Sequence, residues 1–121
     1  MTTKRTLVEL LQSTSESLFP AELGEAKVKI DSTDCDGDTP LHVLIWRGDT
    51  EGAILLIASG APIDAVGDMG ETPLHVAISK KNTRVISALM GAGARTDIVS
   101  EFGETATEKA AKLGIRIKRN T

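Results

Sequence analysis

A stretch of eight residues recurs in this chain with six of its eight positions unchanged. Asp36-Gly37-Asp38-Thr39-Pro40-Leu41-His42-Val43 returns 33 residues later as Met69-Gly70-Glu71-Thr72-Pro73-Leu74-His75-Val76. A fainter third copy, Phe102-Gly103-Glu104-Thr105-Ala106, follows after another 33. A second element keeps the same register: Ser59-Gly60-Ala61-Pro62-Ile63-Asp64 returns as Ala92-Gly93-Ala94-Arg95-Thr96-Asp97. One period earlier lies Lys27-Val28-Lys29-Ile30-Asp31, a worn copy of it. A period of this length marks a supersecondary unit that cannot bury its apolar face alone, so its copies must stack.

The chemistry of each position predicts the unit. Gly37, Gly70 and Gly103 suit a turn in which a side chain would clash. Thr39, Thr72 and Thr105 stand where a helix needs an N-cap hydroxyl, and Pro40 and Pro73 follow at the first helical position, where a missing N–H costs nothing. Leu41, Leu44 and Ile45 then form an apolar stripe, repeated by Leu74, Ala77 and Ile78. Gly48 breaks the first helix after Arg47. A second helix is expected through Ile54, Leu55 and Ile57, matched by Val85, Ile86 and Leu89, with Gly60 and Gly93 as left-handed stops.

This pattern resembles the ankyrin repeat, in which Gly-x-Thr-Pro-Leu-His opens a helix pair at this spacing. The resemblance covers residues 34–114 well and 3–33 in outline. It implies an all-α fold, a short ankyrin-repeat solenoid of helix-turn-helix units joined by β-turn fingers. The expected division is a degenerate N-terminal capping repeat (1–33), full repeats at 34–66 and 67–99, and a truncated C-terminal capping repeat (100–121). The third copy departs from the motif at Ala106, Thr107 and Glu108, as suits a polar end unit. Phe19-Pro20 and Leu23-Gly24 are expected to break the N-terminal region and leave its second helix short. The segment from Thr105 onward is expected to cover Val85 and Leu89.

Composition agrees with stacked helices. Aromatics are 2% of the chain, namely Phe19, Trp46 and Phe102, so aliphatic side chains must build the core. A single cysteine, Cys35, allows no intrachain disulfide and suits a reducing compartment, hence a cytoplasmic location. The start, MTTKRTLVELLQ, reads as a surface helix because Glu9 and Gln12 interrupt its apolar run. No stretch approaches the roughly 18 apolar residues of a membrane helix. A net charge of -3 argues against nucleic-acid binding.

Catalytic and cofactor chemistry find no foothold. His42 and His75 stand one repeat apart with no Cys or carboxylate at metal-ligand spacing, and the resemblance implies a structural hydrogen-bonding role for them. Asp34 and Asp36 before Gly37 look like the start of a calcium loop, but its twelfth position falls on Val43 instead of Glu. Gly91 to Arg95 lacks the Lys-Ser/Thr ending and preceding strand of a phosphate loop. No cofactor, small-molecule substrate or enzymatic activity is expected.

A binding face is more legible. The resemblance implies that partners meet the turn tips and the inner surface of each first helix. The tips carry Asp34, Asp36 and Asp38, then Asp68, Met69 and Glu71, then Glu101, Phe102 and Glu104. The inner-helix positions are Trp46 and Arg47, then Ser79 and Lys80, then Lys112. Trp46 beside Arg47 has the composition of an interface anchor. From Asp31 to Glu71 there are nine acidic residues against Arg47 alone, giving -8 in a chain of net -3 and leaving +5 elsewhere. The sequence therefore predicts a protein partner, with a basic one favoured by this field. More specific forms of that role are an immunity protein that neutralises a basic toxic enzyme, or an inhibitory subunit of a cytoplasmic enzyme.

Overall fold

In a computed structural model the described residues are 7–18 and 28–117, and among them the regular structure is helical with no strand. Two short helices, α1 (Leu7–Gln12) and α2 (Ser15–Leu18), precede two helix pairs. The first pair is α3 (Pro40–Arg47) and α4 (Thr50–Ala58), and the second is α5 (Pro73–Ser79) and α6 (Thr83–Gly91). A final helix, α7 (Ala106–Lys112), closes the series. The expected breaks at Phe19-Pro20 and Leu23-Gly24 and the basic residues Lys118 and Arg119 lie outside the described residues.

Helix starts follow the chemistry that the sequence predicts. Thr39, Thr72 and Thr105 are N-caps whose hydroxyls accept from the backbone N–H groups of His42, His75 and Glu108, and each third helical residue bonds back to its cap. Helices α3 and α5 begin at Pro40 and Pro73. Asp49 and Asn82 cap the second helices. Gly60 and Gly93, at φ 92° and 91°, provide the left-handed exits. At Gly37, with φ 88°, a Cβ would stand 2.6 Å from the Val66 carbonyl oxygen, so the close approach of neighbouring turns needs glycine there.

Packing makes two rows. Helix α3 packs on α5 and α5 on α7, while α4 packs on α6. Between the rows lies an aliphatic core in which Leu41, Leu44, Ile45, Leu56, Leu74, Ile78, Val85 and Leu89 are fully buried. In α4 the deepest residues are Ala53 and Leu56, whereas Ile54, Leu55 and Ile57 are half-buried; the continuous apolar run hides which side faces inward. Helix α7 lies on α5, so Ala106 and Ala110 cover the first-helix row. After Gly114 the chain lays Ile115 and Ile117 against the core.

At the other end, α1 packs chiefly on α4 and α2 on α3, crossing the rows instead of continuing them. Leu10 and Leu11 are buried there while Glu9 and Gln12 are exposed, so α1 is a surface helix whose apolar side joins the core. Val28 and Ile30 of the worn copy also pack on the core.

The two full units differ at one joint. Gly48 ends α3 at φ 79°, and its counterpart one period on is Lys81, held at φ 54°. A lysine pays roughly 1–2 kcal/mol in this region because its Cβ crowds the following carbonyl. Lys81→Gly is therefore expected to raise stability by about 1 kcal/mol. Thr72→Ala is expected to lower it by about 1 kcal/mol, through the lost cap. Urea denaturation midpoints of the two variants test both; an unchanged midpoint for Thr72→Ala would contradict its capping role.

Candidate functional site

The turn tips are built alike. The N–H groups of Asp34, Gly67 and Ser100 donate to the carbonyls of Asp38, Glu71 and Glu104, closing each finger just before the threonine cap. Neighbouring fingers are then tied together. The Asp68 N–H donates to Asp38 Oδ1 at 3.0 Å, and the Glu101 N–H donates to the Met69 carbonyl at 2.9 Å.

Two imidazoles make the longer ties. Nδ1 of His42 accepts from the Thr39 N–H at 3.1 Å, and its Nε2 donates to the Glu71 carbonyl of the next finger at 3.0 Å. His75 repeats this with Thr72 and Glu104, at 3.2 and 3.1 Å. A backbone N–H only donates and a carbonyl only accepts, so both rings are in the Nε2-protonated neutral form. These are structural histidines, as the resemblance implied. Burial pushes the His42 pKa below its ordinary value, against the weaker upward pull of the Glu71 carbonyl, Asp38 and Asp34.

Fingers and first helices together enclose a cavity of about 490 Å³. Asp34, Asp38, Asp68, Met69, Glu71 and Phe102 line it from the tips, and Trp46 and Arg47 from the end of α3. Its floor includes His42, Val43 and Val76. Sequence reading missed the two valines, although both directly follow the histidine of the repeat. Three large apolar side chains reach solvent here: Trp46 is 61% exposed, Met69 50% and Phe102 63%. Met69 has φ 59°, a left-handed conformation that a non-glycine residue adopts at a cost.

The remaining predicted site residues are placed differently. Asp36 is exposed and does not line the cavity, but repulsion from Asp68, followed by burial and by Asp34 and Asp38, raises its pKa. Asp34 Oδ1 accepts from the N–H groups of Asp36 and Asp38, a turn motif in place of a calcium loop. Among the described residues no group of His, Cys, Asp or Glu is arranged to hold a metal ion. Glu101 is exposed at the third tip. Glu71, mostly buried, is ion-paired with Lys109 of α7. Glu104 pairs with Lys112 at 2.8 Å, which holds its carboxyl below the usual range. These two glutamates anchor α7 and are less available as acidic tips than the sequence suggests. Lys80 sits over the Trp46 ring, 4.1 Å from its centroid, and Arg47 donates to the Ser13 carbonyl at 3.0 Å.

Stacked helix pairs with tied fingers and a groove along one row define a helical repeat scaffold. The family model for ankyrin repeats, in three copies, matches residues 4–100, and the chain belongs to that family. Proteins of this kind are generally protein–protein interaction modules. No curated protein matches the sequence. No helix among the described residues is long and apolar enough to cross a membrane.

The neutral state of His42 sets a pH dependence. Its folded pKa lies below the unfolded value of 6.5, so its contribution is complete above that value. It is lost as pH falls from there through the folded value, because the unfolded chain takes up the proton first. The melting midpoint is expected to fall between about pH 7 and about pH 5, and to fall less steeply in His42→Gln. Equal slopes in thermal scans of the two proteins would show that His42 carries no such linkage.

Proposed function

We propose that this protein is a non-enzymatic binding module that holds a partner protein in the groove between its fingers and first-helix row. The observation that carries this reading is the exposure of Trp46, Met69 and Phe102 around one cavity. Exposed large apolar groups clustered around a concavity, with charge at the rim, are the makings of an interface hot spot. Residues 34–66 and 67–99 act as the full repeats, with 1–33 and 100–121 as end caps. The contact surface extends from the groove over the remaining tip and inner-helix positions, including Asp36, Lys80, Glu101 and Lys112.

The acidic fingers favour a partner with a basic surface, and work against a nucleic-acid or membrane partner. Cys35 is exposed and free, which suits the cytoplasm. Neutralising a basic toxic enzyme, as immunity proteins do, or inhibiting a cytoplasmic enzyme are two forms such binding would take; the identity of the captured protein separates them.

A pull-down from native lysate with wild type and Trp46→Ala tests the groove. Wild type is expected to retain a partner that the variant loses. Folding is expected to be unaffected, because the indole contributes little to the core at 61% exposure. A partner held equally by both would remove the groove from the interface.

A further inference from the structure

The groove is asymmetric in chemistry. Asp34, Asp38 and Asp68 lie on the same cavity as Met69 and Phe102, and among the described residues none of the three carboxylates is ion-paired. The fourth acidic lining residue, Glu71, is already neutralised by Lys109. Arg47, the one cation lining the cavity among the described residues, donates to the Ser13 carbonyl. From these observations we infer that the groove binds a linear partner segment in which a lysine or arginine stands next to a large apolar side chain. The cation lies among Asp34, Asp38 and Asp68, and the apolar neighbour against Met69 and Phe102. The inference rests on the protein-binding reading of this groove and adds the class of occupant.

Charge complementarity excludes the other occupants. An acidic segment would add repulsion to fingers where Asp68, Asp34 and Asp38 already stand close enough to Asp36 to raise its pKa. A purely apolar segment would strip water from the carboxylates and give nothing back. A basic group relieves the repulsion and replaces that water with charge-assisted hydrogen bonds. The volume, about 490 Å³, lies within the range that encloses a few side chains, so recognition is of a short segment and not of a flat surface. The site also shows a cation on an apolar surface already, since Lys80 rests on the indole of Trp46.

A random-peptide display library, selected on the full chain, is the test. Enriched sequences are expected to carry Arg or Lys beside Leu, Ile, Met or Phe. A synthetic peptide of the enriched consensus is expected to bind about tenfold more weakly to Asp34→Asn/Asp68→Asn, and more weakly to wild type as salt rises. Asparagine keeps the Asp34 turn acceptor, and circular dichroism confirms the fold of the variant. The salt series gives the same information without any variant. Enriched peptides that lack basic residues but lose binding in Trp46→Ala would overturn the occupant class while leaving the groove as the site. Consensus binding indifferent both to salt and to the double variant, or a library with no enriched sequence, would overturn the inference outright.

Discussion

A neutral imidazole that reads two backbone segments at once holds this molecule in register. His42 accepts from the Thr39 N–H on one nitrogen and donates a hydrogen bond to the Glu71 carbonyl from the other, and His75 does the same one repeat on. Each ring closes its own helix cap and fixes the next finger in one step. Both rings are nearly fully buried, which limits the competition of water for these bonds. With the caps held, the first helices stack at a fixed spacing and the fingers point the same way. The groove follows from that alignment.

Because the frame is carried by buried Thr, Pro, Leu and His, the tips are free to hold groups that do not stabilise the fold. Met69 is left-handed, and Asp36 and Asp68 repel one another. Both features cost stability, and both lie beside the same cavity. The finger carboxylates divide into two groups. Glu71 and Glu104 are bound by lysines of α7 and hold the last helix in place. Asp34, Asp38 and Asp68 are not ion-paired among the described residues, and give the groove its sign.

The ends depart from the repeat in different ways. Helix α7 continues the first-helix row, and the tail at Ile115 and Ile117 adds apolar cover without a further helix among the described residues. Helices α1 and α2 instead cross from one row to the other, burying Leu10 and Leu11. End units have only one neighbour to satisfy, so the register that binds the middle of a solenoid is relaxed there.

The resemblance to the ankyrin repeat implied the structural role of both histidines, whose bonds to the next finger span 29 residues; the sequence by itself determined the repeat, its turn glycines, the threonine caps and the proline starts. These are local features, set by backbone conformation and by hydrogen bonds within four residues. It also placed Met69 and Phe102 on the turn tips and Trp46 on the inner helix face. Tertiary structure decided the rest. Pairing of Glu71 with Lys109 spans 38 residues, and nothing in the spacing reveals that these charges meet. The buried side of α4 was hidden by a run apolar on every side, and only its neighbours select Ala53 and Leu56. The route of α1 and α2 and the seat of α7 depended on which apolar faces remained uncovered after the central repeats had stacked. That is a property of the assembled core, since burial acts on surfaces brought together from distant parts of the chain and carries no signature at any one position.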